Sequence, residues 1–314
     1  MPVPLRLSHF GLYVRDLERS IRWYGETLGF RLSDYLPPGN TQEPAAPHGI
    51  AWMRFDDMHH RLTLIQYPPE ALAAPPPERP SNFQQAAFHL ASEGDVERAY
   101  ESLRSAGVAV VLPLSRGPLY GVLQFYIADP DGNKIELFST SPGNSREKGG
   151  SGVRIEFLSH VGLHARDLER SVRWYEEMLG FRLADRRGPH PAEPRLAAAA
   201  PHGIAWLSRS AEHHNLVLVQ LSPGAADKPL PFGGRGSCQQ VAFEVESEAE
   251  LRAAHAHLAE RGADTLEGPR PQNWSGGMKF YFRDPDGTKL EILTGMKRVD
   301  ARYGSHYELS GAPR

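Results

Sequence analysis

The segment Leu7–Leu32 reads LSHFGLYVRDLERSIRWYGETLGFRL, and Leu158–Leu183 reads LSHVGLHARDLERSVRWYEEMLGFRL. The two segments are identical at 20 of 26 positions, an agreement that chance does not produce. Two shorter motifs recur at a similar offset: PHGIAW at 47–52 and 201–206, and DPDG at 129–132 and 284–287. The chain is therefore an internal duplication with a period of roughly 155 residues.

Each repeat divides once more at a proline-rich stretch, Pro68–Pro80 in the first and Ser222–Gly236 in the second. A second strand-like run follows each stretch, QQAAFHL at Gln84 and QQVAFEV at Gln239. The pattern predicts four modules, at about 5–68, 82–139, 156–222 and 237–295. We expect an N-terminal domain over 1–140, a linker over 141–152, a C-terminal domain over 153–296 and a tail over 297–314.

Composition limits the classes of partner. Thirty-five basic and 38 acidic side chains give a net charge of −3, without the basic excess that nucleic-acid or membrane-surface binding requires. The first residues lack a signal-peptide pattern, and no run of about 18 apolar residues occurs, so a cytoplasmic protein is expected. Cys238 is the sole cysteine of the 314 residues. Any metal would be held by histidine, carboxylate or amide groups.

Within a module the pattern predicts a strand, a helix and further strands. Phe10, Leu12 and Val14 alternate with His9, Gly11 and Tyr13, which predicts one face against the core and one lining a concave surface. Asp16 is a predicted helix N-cap, Gly29 a predicted helix end, and an apolar stripe lies between them. Each DPDG is predicted to form a tight hairpin turn, with Tyr126 and Glu136, or Tyr281 and Glu291, flanking it.

Paired modules of this kind, with a histidine in the first strand and a glutamate after DPDG, resemble the vicinal oxygen chelate superfamily. That group includes glyoxalase I, methylmalonyl-CoA epimerase, fosfomycin- and bleomycin-resistance proteins and type I extradiol ring-cleaving dioxygenases. The resemblance extends from about Leu5 to Leu293 and implies an α+β fold, with four βαβββ modules in tandem forming two cup-shaped domains. The modules could pair in sequence order, or the first with the fourth and the second with the third.

The resemblance also implies two metal-ligand positions per module, in its first and last strands. In the first repeat these are His9, Gln66, Gln85 and Glu136, and in the second His160, Gln220, Gln240 and Glu291. Either pairing gives each cup one histidine, one glutamate and two glutamines. The carboxylates carry most weight, because burying an unpaired carboxylate is costly.

Extradiol dioxygenases resemble this chain further in a tyrosine ten residues before the glutamate and a histidine that opens an earlier strand. Tyr281 and His214 hold these positions, and the duplication adds Tyr126 and His60 as candidate catalytic residues. A phenol and an imidazole suit proton transfer at a bound oxygen. The expected metal set for this reaction is His160, Gln240 and Glu291, where the family has two histidines and one carboxylate.

We therefore expect a divalent-metal enzyme, with Fe(II) as the first candidate metal and Mn, Co, Ni or Zn as alternatives. Its expected substrate is an aromatic, diol-like small molecule, cleaved by an extradiol-type dioxygenase reaction. Two alternatives stay open: a glyoxalase- or epimerase-type isomerase or lyase acting through an enediolate, and a metal-free binding or resistance protein. The chain could be a monomer or a homo-oligomer.

Overall fold

The computed structural model describes residues 3–73, 81–117, 121–142, 153–231 and 235–304. Most of the predicted linker and the end of the predicted tail lie outside the described residues. The elements follow in the order β1 (Arg6–Val14), α1 (Leu17–Leu28), β2 (Arg31–Leu36), β3 (Ile50–Arg54), β4 (Leu62–Gln66), α2 (Pro69–Leu72), β5 (Phe83–Leu90), α3 (Glu93–Ser105), β6 (Val110–Arg116), β7 (Leu123–Ala128), β8 (Lys134–Ser139), β9 (Ile155–Ala165), α4 (Leu168–Leu179), β10 (Arg182–Arg187), α5 (Pro194–Ala199), β11 (Ile204–Ser208), β12 (Leu216–Gln220), α6 (Pro223–Ala226), β13 (Cys238–Glu244), α7 (Glu248–Glu260), β14 (Asp264–Thr265), β15 (Arg270–Pro271), β16 (Met278–Arg283) and β17 (Lys289–Thr294). The α+β prediction is confirmed.

Helix α1 forms as its sequence predicts. The Asp16 side chain accepts a hydrogen bond from the Arg19 backbone N–H at the helix start, and Gly29 ends the helix with a φ of 72°. The stripe between them is buried, and α1 packs against β2, β3 and β4. Burial of this amphipathic face provides most of the stability of such a short helix.

The chain folds into two compact units, each assembled from separate segments. Unit 1 consists of Met1–Tyr13, Pro69–Gln84 and His160–Arg298. Unit 2 consists of Val14–Pro68, Gln85–Ser159 and Val299–Arg314. Each unit contains residues of both repeats, so the compact units and the repeats do not coincide.

The strand order of each unit follows from its pairings. In unit 1 the order is β14-β16-β17-β13-β1 in one set of strands and β10-β11-β12-β9 in another. In unit 2 the order is β4-β3-β2 and β5-β8-β7-β6. Strand β1 runs antiparallel to β13, with His9 beside Ala242 and Gly11 beside Gln240. The first strand of the first repeat is therefore paired with the second half of the second repeat.

Both DPDG motifs form the predicted hairpin turns. Gly132 and Gly287 adopt φ values of 84° and 85°, the left-handed conformation that the turn requires. The resulting register sets Tyr126 beside Glu136 and Tyr281 beside Glu291. Among the helices of the described residues, none is long and apolar enough to cross a membrane.

Candidate metal and substrate sites

His9, Gln240 and Glu291 meet on one face of unit 1, and we call them the histidine site. They come from the neighbouring strands β1, β13 and β17. Ala242 connects the three strands, because it pairs with His9 on one side and with Glu291 on the other. Since residues paired across strands share a face, the register brings the three side chains together.

The distances within the histidine site are those of direct contact. The Gln240 Nε2 atom lies 2.8 Å from His9 Nε2 and 2.5 Å from Glu291 Oε2. His9 Nε2 and Glu291 Oε2 are 3.3 Å apart. All three residues are buried, with exposures of 0%, 4% and 1%. The site is thus a compact group of polar side chains removed from water.

The Glu291 carboxylate is ionised and only partly satisfied. Burial alone would raise its pKa, but the positive charge of Lys279, the hydrogen bond and charge of His9, and the charge of Lys289 outweigh burial and lower the pKa to about 2. Its Oε2 atom bonds Gln240, whereas its Oε1 atom is buried and has no hydrogen-bond partner among the described residues. A buried carboxylate oxygen in that state is positioned for a cation or a substrate donor.

Two lysines and a tyrosine surround this carboxylate. The Lys279 Nζ atom lies 4.0 Å from Glu291 Oε1 and donates to the Tyr281 hydroxyl at 2.6 Å. The Lys289 Nζ atom lies 4.5 Å from the centroid of the Tyr281 ring, and Lys279 Nζ lies 4.8 Å from it. Both ammonium groups therefore lie close to the phenol ring.

The corresponding residues of unit 2, Gln85 and Glu136, form what we call the glutamine site. Gln85 Nε2 donates to Glu136 Oε2 at 2.6 Å, as Gln240 does to Glu291. Tyr126 lies across the hairpin from Glu136, and burial together with that carboxylate raises the pKa of the phenol well above its usual value. The Lys134 Nζ atom lies 5.2 Å from the Tyr126 ring centroid.

The predicted ligand His160 and the predicted acid–base residue His214 lie together in unit 1. Their ring centroids are 4.2 Å apart. Burial, followed by the charges of His160 and His213, lowers the pKa of His214 well below its usual value. His214 is therefore a neutral imidazole near pH 7.

His60 belongs to a buried relay in unit 2. Its Nδ1 atom lies 3.0 Å from His59 Nδ1, and His59 Nε2 lies 2.6 Å from the Asp34 carboxylate. The Tyr303 hydroxyl donates to the same carboxylate at 3.1 Å. A carboxylate bonded to one ring nitrogen fixes the tautomer and orientation of an imidazole. Asp34 and His59 therefore orient His60, the predicted acid–base residue.

Gln66 and Gln220 lie at helix starts, apart from the contacts just described. Gln66 Oε1 accepts from Leu17 N at the first turn of α1, at 3.1 Å, and Gln220 Oε1 accepts from Leu168 N at the first turn of α4, at 2.7 Å. In the β9–β12 register Val217 lies beside Gly162 and Gln220 beside Ala165, which puts Gln220 on the face opposite His160. Both glutamines satisfy helix N-terminal donors in this structure.

A divalent metal fits the histidine site only if the amide of Gln240 is its third ligand. No group of three or more His, Cys, Asp or Glu side chains is arranged for a metal within the described ranges. The three polar atoms are separated by 2.5–3.3 Å. Ligands at about 2.1 Å from one ion lie about 3 Å from each other, and the amide can turn its oxygen inward. Glu291 Oε1 has no hydrogen-bond partner among the described residues, so this oxygen could also contact a metal ion. The residues of the histidine site therefore fit a divalent metal.

Sequence reasoning missed Lys279, Lys289 and the Asp34–His59 pair. Strand parity contained a signal for the lysines, since they stand two residues from Tyr281 and Glu291 on strands whose register the DPDG turn fixes. Asp34 lies in β2 and His59 in the connection between β3 and β4, and no local pattern in the sequence indicates their contact.

Comparison with known proteins supports one family. The model of the Glyoxalase/Bleomycin resistance protein/Dioxygenase superfamily matches residues 6–137 and 157–292. Biphenyl-2,3-diol 1,2-dioxygenase 2 of Rhodococcus globerulus is 33% identical over 121 residues, 35% of this chain and 60% of that protein, less than two thirds of its length. Glyoxalase I of Saccharomyces cerevisiae is 25% identical over 315 residues, 92% of each chain.

A solved structure shares the fold at low identity. A putative dioxygenase from Bacillus subtilis superposes with a TM-score of 0.68 at 15% identity, covering 98% of this chain and 92% of that one. The family match accounts for both repeats, and the paired modules with their histidine and glutamate strands agree with it. The chain therefore belongs to the Glyoxalase/Bleomycin resistance protein/Dioxygenase superfamily.

Proposed function

We propose that this chain is a divalent-metal enzyme that cleaves a catechol-like aromatic in an extradiol-type dioxygenase reaction. The observation that carries the proposal is the buried convergence of His9, Gln240 and Glu291, with the Tyr281 phenol directly across the hairpin from the carboxylate. The name of the Rhodococcus globerulus relative, a biphenyl-2,3-diol 1,2-dioxygenase, supports the reaction class.

The metal would be held by His9 Nε2, the Glu291 carboxylate and the Gln240 amide oxygen. Fe(II) bound there would supply Lewis-acid chelation of two vicinal oxygens and the redox chemistry of dioxygen. One carboxylate leaves the ion with an excess positive charge, which favours an anionic diol oxygen as the further ligand. His160, Gln85 and Glu136 remain proposed ligands, on the strength of the repeat.

The protein's own groups would orient the substrate and move its protons. The Tyr281 hydroxyl accepts a hydrogen bond from Lys279, and it would donate its own proton to a substrate oxygen. Burial of the site limits the water that competes for these contacts. His214, His60 and Tyr126 are proposed acid–base residues, with His60 oriented through His59.

Anaerobic loading with Fe(II), followed by oxygen uptake measured over a panel of catechols, tests the proposal. We expect uptake together with a coloured ring-cleavage product, and loss of both in Glu291→Gln. Glu136→Gln is the matched variant of the glutamine site and assigns the activity to one site or the other. Lack of oxygen uptake with every diol, in protein whose iron content is verified by elemental analysis, would refute the reaction.

A glyoxalase-type isomerase is the second candidate, favoured by the buried and unpartnered Glu291 Oε1. Such an oxygen could remove a proton from carbon beside a chelated carbonyl, and a Ni, Co, Mn or Zn ion would stabilise the enediolate. The coverage of Saccharomyces cerevisiae glyoxalase I over 92% of both chains supports it. Turnover without oxygen, with solvent deuterium entering the product, would identify this reaction, and an oxygen requirement would exclude it.

A further inference from the structure

The histidine site carries more positive charge than its carboxylate balances. Lys279 and Lys289 both lie close to the Tyr281 ring, and Lys279 lies 4.0 Å from Glu291. The next acidic group near Lys289 is Glu267, whose carboxylate is paired with Arg270 at 2.8 Å. Lys279 and Lys289 therefore share the single carboxylate of Glu291, an excess of one positive charge before any metal binds.

Such an excess is costly in this setting. Glu291 is 1% exposed, and the Lys279 side chain is 18% exposed. Charges with so little access to water interact strongly, and an unbalanced one is stabilised by a counterion. A divalent ion at the site would increase the positive excess and so strengthen the demand for a negative charge.

The glutamine site provides an internal comparison. Gln124 stands two residues before Tyr126, where Lys279 stands two residues before Tyr281, and each faces the strand after DPDG in the same register. Lys134 is therefore the single ammonium group in the positions that correspond to Lys279 and Lys289, and it balances Glu136. The histidine site and the glutamine site thus differ by one positive charge, at the position held by Lys279 in one and Gln124 in the other.

We infer that Lys279 and Lys289 make the histidine site selective for a substrate that bears an ionised carboxylate besides its vicinal oxygens, whereas the glutamine site takes an uncharged diol. The vicinal oxygens of this substrate rest on the proposed function, whereas the carboxylate is inferred from the two lysines. In this inference Lys279 is a specificity-determining residue, whose ammonium binds the carboxylate while its hydrogen bond orients Tyr281.

Two diols that differ in one carboxylate form the test. Calorimetric titration of the metal-free protein with 3,4-dihydroxybenzoate and with catechol gives the preference for the anion, independent of any turnover. We expect Lys279→Gln to lower the affinity for 3,4-dihydroxybenzoate about tenfold, since one charge pair is lost, and to change the affinity for catechol little. Lys279→Arg should retain the preference, and Gln124→Lys should add a second site that binds the anion.

Lys228→Gln removes one exposed positive charge elsewhere and controls for net charge. It should leave the affinity for both ligands unchanged. The inference is overturned if wild-type protein does not bind 3,4-dihydroxybenzoate up to its solubility limit. It is also overturned if Lys279→Gln, folded by circular dichroism, weakens both ligands equally or neither. Persistent anion preference in iron-loaded protein that consumes no oxygen would instead count against the proposed dioxygenase reaction alone.

Discussion

Gln220→Leu should lower stability without affecting metal binding. The Gln220 amide accepts from Leu168 N at 2.7 Å and donates to the carbonyl oxygens of Arg166 and Leu221 at 2.7 and 3.0 Å. Each lost hydrogen bond of this type costs about 1 kcal/mol, and the two carbonyls can turn to water because the residue is partly exposed. We therefore expect the free energy of unfolding to fall by about 1–2 kcal/mol. The equivalent bond of Gln66 to Leu17 is longer, so Gln66→Leu should cost about 1 kcal/mol.

Urea unfolding followed by circular dichroism measures the stability change, and titration with Co(II) under the same conditions measures metal affinity. Gln240→Leu is the matched variant, since it removes a proposed ligand from the histidine site and should weaken metal binding. The reasoning would be refuted if Gln220→Leu reduced Co(II) affinity as much as Gln240→Leu did while leaving the urea midpoint unchanged. Gln220 would then act as a ligand.

Three further predictions concern stability. Burial and the charge of Asp286 raise the pKa of Asp284 to about 7, so the folded chain binds more protons than the unfolded chain between about pH 4 and about pH 7. The free energy of unfolding should therefore fall as the pH rises through that window, and it should fall less in Asp284→Asn. Urea midpoints at about pH 5 and about pH 8 test this prediction. An equal change of midpoint in the wild-type protein and in Asp284→Asn would contradict it. Arg54→Met removes hydrogen bonds to the carbonyls of Asp300 and Tyr303, at 2.9 and 3.0 Å, and should lower the free energy of unfolding by about 2 kcal/mol. It should also make the segment 299–304 more susceptible to limited proteolysis, and an unchanged cleavage pattern would count against this reasoning. Gly277→Ala should lower the free energy of unfolding by at least about 2 kcal/mol, because φ at this position is +74° and the new Cβ would lie 1.9 Å from Thr294 O. Gly287→Ala has open space around its Cβ and should lower it by about 1 kcal/mol. Similar thermal midpoints for the two variants would contradict this reasoning.

Local signals in the sequence predicted the local structure well. Helix α1 begins at its Asp16 cap and ends at Gly29, and the DPDG turn sets Tyr281 across from Glu291. Each of these features depends on hydrogen bonds or backbone conformations within a few residues. The duplication predicts the same helix in the second copy, where α4 begins at its Asp167 cap and ends at Gly180. Such features can be predicted from one sequence because the interactions that form them are short-range.

Short-range signals in the sequence did not predict that His9 contacts Gln240 and Glu291. The site expected for the dioxygenase reaction combined His160 with Gln240 and Glu291, whereas the contacts of Gln240 are with His9 and Glu291. Two pairings of modules use the same hydrophobic faces, and the periodicity of each strand is satisfied by either. Long-range strand pairing decided the composition of the site, and a single sequence does not contain it.

The glutamines show a second limit, which is chemical. His60 and Gln66 were both candidate site residues, but β4 begins at Leu62, so only Gln66 lies within this strand. A glutamine at the end of a strand can serve a metal or a nearby helix terminus equally well. Its choice depends on the distance to the helix start, which the order of residues alone does not give.

The pairing of β1 with β13 has a consequence for the order in which the protein can fold. His9 and Gln240 are in contact although 231 residues separate them in the chain. During synthesis the first strand must wait until most of the polypeptide has been made, and closing so long a loop slows folding. A fragment containing the first repeat alone would lack two of the three side chains of the histidine site. The proposed metal centre can therefore form only after the chain has been synthesised past Glu291.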